Sequence, residues 1–163
     1  MIDKLTALLF VHEGYRARPY RCTAGKRTVG IGRNIDDKGI SKDELVSIFE
    51  QDGLSMKAAL ILLHNDIDEV TDYLRTHLPY FYQLSGPRQA VLVDMGFNLG
   101  VAGLMKFTHF LDYVSEGSYK EASYQMLQSK WSVQVGQRAI RLSRMMEYGT
   151  WPDLDLPDSL PNS

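Results

Sequence analysis

The chain has 163 residues, 44% of them apolar, and a formal charge of -2. That suffices for one ordinary globular domain, in one or two lobes, and leaves no global charge with which to hold nucleic acid. The single cysteine excludes an intrachain disulfide and a cysteine-rich structural metal site, and no apolar stretch approaches a membrane span.

Charge is unevenly spread. Residues 1–40 hold eight Lys/Arg against four Asp/Glu, and residues 41–80 hold three against eight. The cationic part includes Arg16, Arg18, Arg21, Lys26 and Arg27. These either steer an anionic polymer or form the solvated surface of a hairpin.

In chain order, Ile2, Leu5, Leu8 and Leu9 make a helical stripe that Gly14 ends as a left-handed cap. Arg18–Cys22 and Lys26–Ile31 read as two short strands around Ala24-Gly25. In the second, Gly30 and Gly32 alternate with Val29 and Ile31, so one strand face is bare backbone open to close approach by a ligand. Ser41-Lys-Asp-Glu44 is a capping box opening a helix to about Asp52, where Gly53 breaks it. Ser55 caps the longest helix, apolar at Leu60, Leu63, Ile67, Val70 and Leu74, which runs until Pro79.

Pro87 suits the first turn of a helix ending at Gly100, and another covers roughly Leu104–Val114. Ser118-Tyr-Lys-Glu121 is a second capping box, for a helix to about Trp131. After a break at Val133–Gly136 comes a last helix, Arg138–Tyr148, closed by Gly149. The Pro- and Asp-rich tail is frayed or laid on the surface. The expected fold is α+β and predominantly helical. A small lobe with a β-hairpin (1–54) joins through a long helix (55–78) to a larger helical lobe (79–151), with a flexible tail (152–163).

The chemistry concentrates at Glu13, Cys22 and Thr28. A glycosidase needs an acid with a raised pKa to protonate the leaving oxygen, and a second group across the sugar. Glu13 stands at a helix end, where partial burial can raise a carboxyl pKa. Thr28 can hold a water, and Cys22 sits where the second group is needed. His12 and Trp131 read as packing residues, and Met145 and Met146 as core filler.

The spacing of Glu13, Cys22 and Thr28 resembles the signature of the phage-type, T4-like lysozymes: Glu, eight residues, Asp or sometimes Cys, five residues, Thr. The likeness continues through Thr28-Val-Gly-Ile-Gly32, Phe97-Asn98-Leu-Gly100, Phe107-Thr108, Trp131, Arg138-Ala-Ile-Arg141 and Gly149-Thr-Trp151. It implies an endolysin hydrolysing the β-1,4 bond between N-acetylmuramic acid and N-acetylglucosamine of bacterial peptidoglycan, with Glu13 as general acid. It places Gly30, Asn34, Phe97 and Asn98 in substrate binding. Arg138 matches the arginine that pairs with the catalytic glutamate, and Arg33 and Asp66 match a pair between the small lobe and the long helix. No cofactor or metal is implied. The expected protein is a monomer without nucleic-acid or membrane binding. It accumulates in the host cytoplasm and needs a holin to reach the wall.

Cys22 departs from the commoner aspartate. A thiol is neutral at its reference pKa of about 8.5, but nearby Arg21, Lys26 or Arg27 could favour the thiolate. The thiolate would then orient water or attack carbon, and the stereochemical outcome stays open. Two rivals are a lytic transglycosylase, which needs one acid and no activated water, and a wall-binding protein with a dead site.

Overall fold

The structure is a computed structural model that describes residues 3–45 and 53–157. Within these, two compact units form: residues 3–45, 53–68 and 154–157 make the first, and 69–153 the second. The fold is α+β and predominantly helical.

The first unit opens with helix α1 (Lys4–Glu13). Asp3 caps it, its carboxylate accepting from the Thr6 N–H at 2.9 Å and the Thr6 hydroxyl at 2.7 Å. Five consecutive residues, Thr6–Phe10, are buried, so the helix is enclosed around its circumference rather than along a stripe. Gly14 closes it, its N–H donating to Phe10 O at 2.9 Å. Its φ is 69° but its ψ is 173°. The cap is therefore not left-handed helical: the chain must leave at once into a strand.

Three antiparallel strands follow in the order β1 (Arg16–Arg21), β2 (Arg27–Gly30) and β3 (Arg33–Asn34). The third is two residues long and carries no alternation that sequence could show. Tyr20 pairs with Thr28, Thr28 with Asn34, and Val29 with Arg33. A tight turn joins β1 to β2, with the Gly25 N–H on Cys22 O at 2.8 Å and the Cys22 N–H on Lys26 O at 2.9 Å. Helix α2 (Ile35–Lys38) was not evident from the sequence; Asn34 caps it by accepting from the Asp37 N–H. Its acids neutralise the cations that lead into β2: Asp37 pairs with Lys26 in the turn, and Asp36 with Arg27 at 2.7 Å.

Helix α3 (Lys42–Leu45) starts with the expected capping box, both reciprocal bonds being made between Ser41 and Glu44. Its expected extension to Asp52 falls beyond Leu45, outside the described residues. Helix α4 (Met56–His77) is capped by Ser55, whose hydroxyl accepts from the Ala58 N–H at 3.1 Å. Leu60, Leu63, Ile67 and Leu74 are buried and Val70 is half-buried. The boundary between the units falls inside α4, after Asp68.

Arg33 ties the first unit together while only 2% exposed. Its Nε donates to Asp66 at 3.0 Å, and its terminal nitrogens donate to Glu44 at 2.8 and 3.0 Å, to Gly39 O at 3.2 Å and to Leu62 O at 3.3 Å. The guanidinium fork is thus satisfied on every nitrogen. Lys38 also pairs with Asp66, and Asn65 donates to Glu44.

The second unit is helical. Helix α5 (Gly86–Leu99) buries an unbroken run from Ala90 to Gly96. A Cβ on Gly96 would lie 2.9 Å from Val70 Cγ1, so glycine lets α4 and α5 approach closely here. The helix expected at Leu104–Val114 is instead two, α6 (Val101–Met105) and α7 (Thr108–Glu116). Gly117 ends α7 in a left-handed conformation, and the Ser118 N–H returns to Tyr113 O at 2.9 Å. That C-terminal motif fixes the Ser118 backbone, and its side chain makes no cap bond to helix α8 (Tyr119–Gln128). The second capping box is therefore not formed. The helix expected to reach Trp131 breaks at Ser129, whose hydroxyl caps α9 (Lys130–Val135). Helix α10 (Gln137–Tyr148) ends at left-handed Gly149, where Arg88 donates to Met146 O at 2.8 Å and Glu147 O at 2.9 Å.

Arg33 beside it, with the Ser41 N–H and Asn65 behind, pushes the Glu44 carboxyl from 4.5 down to about 2 against its burial. A carboxylate held below its unfolded value adds stability that is complete above the unfolded pKa and lost as pH falls through the folded one. The melting temperature should therefore drop between pH 4.5 and about 2, a loss on the order of 3 kcal/mol. Glu44→Gln should flatten that limb and cost roughly 2–4 kcal/mol at neutral pH, because Arg33 keeps Asp66 alone. Circular dichroism melts across pH check both, and an unchanged acid limb in the variant would refute the assignment.

Candidate functional site

Helix α1 delivers Glu13 at its last residue, half-buried, and the Gly14 turn sends the chain away along β1. Gly32 lies against it. A Cβ on Gly32 would sit 3.0 Å from Glu13 Cγ, Cδ and Oε2, at a φ of +74°. The bare Cα is thus a floor for the carboxyl, and the positive φ itself requires glycine. Gly30 turns its bare side inward: a Cβ would meet Leu54 Cδ2 at 2.7 Å and Ala59 Cβ at 3.3 Å. The close approach expected of a ligand along this strand is therefore made by the protein's own side chains at both glycines.

The hairpin supplies the other groups. The register puts Thr28 opposite Tyr20 and Asn34 opposite Thr28 on one face of the sheet, and Cys22 follows directly on the end of β1. Cys22 is half-exposed, while Thr28 is 4% exposed. The Thr28 hydroxyl lies between Lys26 O, at 3.2 Å, and the thiol. The Lys26 backbone N–H, followed by that of Ala24 and the Thr28 hydroxyl, holds the thiol below its ordinary value against desolvation. The main cause is backbone N–H donation rather than the side-chain cations expected to do it. Those cations are engaged elsewhere: Lys26 with Asp37, Arg27 with Asp36 and Arg21 with Gly25 O.

Tyr20 escaped the sequence reading. Its ring is covered by the Arg16 guanidinium at 4.7 Å from the centroid. Burial, then the negative charge of Glu13, push the phenol up, with Cys22 adding and Arg16 opposing. Its hydroxyl therefore stays protonated in the field of both other groups. Its place two residues before Cys22 in a strand was the signal available.

The remaining first-unit residues are structural in their contacts. Asn34 uses its carbonyl to cap α2 and its amide to reach Asp37 at 2.8 Å. Arg33 and Asp66 form their pair at 3.0 Å, and Arg33 is cross-strand to Val29, on the side of the sheet away from Thr28.

Phe97, Asn98 and Arg138 belong to the second unit. Phe97 is half-buried and Asn98 exposed at the end of α5. The Trp131 indole N–H donates to Asn98 Oδ1 at 2.7 Å and orients that amide. Trp131 itself is buried, edge-on to Phe107 at 6.4 Å. Arg138 Nε donates at 2.8 Å to Asp94, a fully buried carboxylate the sequence reading did not single out. His12 is half-buried, and Met145 and Met146 are core. Among the described residues, no group of three or more His, Cys, Asp and Glu could hold a metal ion.

The first-unit group offers a carboxyl on a glycine floor, a thiol in a cradle of N–H donors, a buried hydroxyl beside it and a phenol. These are the components of acid-assisted cleavage with a second anionic group. The phage lysozyme family profile matches residues 11–146. Two similar proteins are the probable T4-type lysozymes 2 and 1 of Dictyostelium discoideum, each 25% identical over 92% of this chain and 97% of their own length. A third is the pre-baseplate central spike protein Gp5 of Enterobacteria phage T4, 28% identical over 84% of this chain but only 26% of that larger protein. The chain therefore belongs to the phage lysozyme family, a lysozyme-type hydrolase of cell-wall peptidoglycan.

Proposed function

We propose that the protein is an endolysin that cleaves the β-1,4 bond between N-acetylmuramic acid and N-acetylglucosamine, with Glu13 as general acid. The observation that carries this reading is the Glu13 carboxyl seated on Gly32, in the same hairpin unit as the Cys22–Thr28 pair. Glu13 gives its proton to the bridging oxygen as the bond to the muramic-acid anomeric carbon breaks. Cys22 and Thr28 serve the opposite side. The thiolate, favoured by the Lys26 and Ala24 N–H groups, stabilises the oxocarbenium-like charge as a carboxylate would. It either draws a proton from a water held by Thr28, which inverts the anomer, or attacks the carbon to give a thioglycoside that water then opens with retention. Product NMR distinguishes the two outcomes. Tyr20 supplies a neutral donor for a sugar or water oxygen between these groups.

By the family resemblance, Gly30, Asn34, Phe97 and Asn98 are proposed to serve substrate binding, and Arg138, Arg33 and Asp66 to serve as supporting residues. As an endolysin the protein would act alone, build up inside the host cell, and reach the wall after holin-mediated release. Cys22 in place of a carboxylate also suits a lytic transglycosylase, which would leave 1,6-anhydro ends instead of reducing muramic acid.

Glu13→Gln should lose about 10²–10⁴-fold of wall lysis while melting normally. Cys22→Asp should stay active, whereas Cys22→Ala should fall at least about tenfold; undiminished turbidity clearance by Cys22→Ala would remove the thiol from the mechanism. Alkylation of Cys22 should reach half its maximal rate at a pH below the ordinary thiol value, and Thr28→Val should move that midpoint upward. Tyr20→Phe should cut the lysis rate roughly tenfold without moving the melting temperature, the effect of losing one hydrogen bond to a charged or developing-charge partner.

A further inference from the structure

The turn that cradles the Cys22 sulfur is gripped from outside by helix α2, and no role proposed above uses that grip. Strand β3 ends at Asn34, opposite Thr28. Arg27, one residue earlier, therefore lies past the end of the β2–β3 ladder, and a side chain takes up its main chain instead. Asp36 accepts from the Arg27 N–H at 2.8 Å and from its Nε at 2.7 Å. The next acid, Asp37, accepts from the Lys26 ammonium and, with its other oxygen, from the Asn34 amide at 2.8 Å. Two consecutive acids on one helical turn thus hold two consecutive residues where the hairpin turn closes.

The held residues belong to the cradle. Lys26 gives its N–H to the thiol, and its carbonyl accepts from the Cys22 N–H at 2.9 Å and the Thr28 hydroxyl at 3.2 Å. Helix α2 is itself anchored at both ends. Arg33, just before it, donates to Gly39 O just behind it at 3.2 Å and also to Glu44 and Asp66, and Lys38 in its last turn pairs with Asp66. Position therefore passes from the buried cation cluster through α2 to the sulfur. Hydrogen bonds weaken steeply with distance and angle, so a displaced turn would leave the thiolate without its donors.

We propose that Asp36 and Asp37 are positioning residues for Cys22, holding Lys26 and Arg27 so that the main-chain N–H groups of the turn stay aimed at the sulfur. This role rests on Cys22 being the second group of the reaction. The two acids play it against their own charge: carboxylates near a thiol oppose its ionisation, whereas the donors they hold in place favour it. Geometry and charge thus act on one thiol in opposite directions, which makes them separable. The other charged or titratable groups around the sulfur are Tyr20, Arg21, Lys26 and Arg27 on the hairpin and Glu13 at the end of α1, and all of them stay intact in the test.

Cys22 is the one cysteine of the chain, so iodoacetamide reads its thiolate fraction across pH in the intact protein. Asp36→Ala should raise the pH of half-maximal alkylation by about one unit, the effect of losing one hydrogen bond to a charged group. Adding Asp37→Ala should raise it further. Asp36→Asn keeps an oxygen for the Arg27 N–H but removes the charge, so its midpoint should match the native one or fall below it. In turbidity clearance at neutral pH, Asp36→Ala should lose several-fold in kcat with KM held, and Asp36→Asn should restore it. The melting temperature should move little, because exposed ion pairs add little to stability. An unchanged or lower midpoint in Asp36→Ala, an equal rise in Asp36→Asn, or a rise that comes only with a collapse in melting temperature would each overturn the proposal. Should Cys22→Ala clear walls normally, the thiol would lose its part in the chemistry, while the alkylation comparison would still decide whether the acids hold the turn.

Discussion

One buried cation organises the first unit. Arg33 is enclosed in protein and meets Glu44, Asp66 and two backbone carbonyls at once. A guanidinium without those acids would not be tolerated at this depth. Its partners come from three segments: the α2–α3 connection, the first turn of α3 and the middle of α4. Because Arg33 pairs with Val29 across the ladder, fixing its head also fixes β2, and with it Thr28 on the other face and Gly32 beneath Glu13. Arg33, which holds the unit, and Thr28, proposed for chemistry, occupy opposite faces of the β2–β3 ladder.

The division of labour shows in the use of backbone. The chemistry-bearing side asks for three local conformations: the Gly14 exit, the Gly25 turn and the positive φ of Gly32. Each brings a group to a place that regular helix or strand would not reach. The Cys22–Lys26 turn goes further, aiming main-chain N–H groups at the sulfur. Dipoles fixed in a turn need no reorganisation when charge appears on the thiol, unlike flexible surface cations.

Much of this was legible because it is local. The α1 end, the hairpin, the Ser41–Glu44 box and the Ser55 cap are written in neighbouring residues, and so is the spacing of Glu13, Cys22 and Thr28. What was hidden depends on partners far along the chain. Glu44 looked like half of a capping box, but it is also the main counter-charge of Arg33. Asp94 is an ordinary acid on an apolar helix until Arg138 reaches it. Gly30 and Gly32 announced a close approach that reads as a ligand's, and the groups that make it are Leu54, Ala59 and Glu13. Ser118 carried a sound capping signal that lost to the Gly117 motif closing the helix before it. Strand β3 and helix α2 are too short for periodicity to register.

Two polar attachments of α10 lead to α5. Arg88 reaches from α5 to the last carbonyls of α10, while Arg138 reaches from the first turn of α10 back to Asp94. Two fasteners of opposite sense, near opposite ends of a rod, remove its freedom to slide and to roll. The azimuth of α10 is therefore set from its inner side. Side chains pointing outward inherit that angular setting without contributing to it, so the outer stripe is free to vary in composition while its aim stays constant.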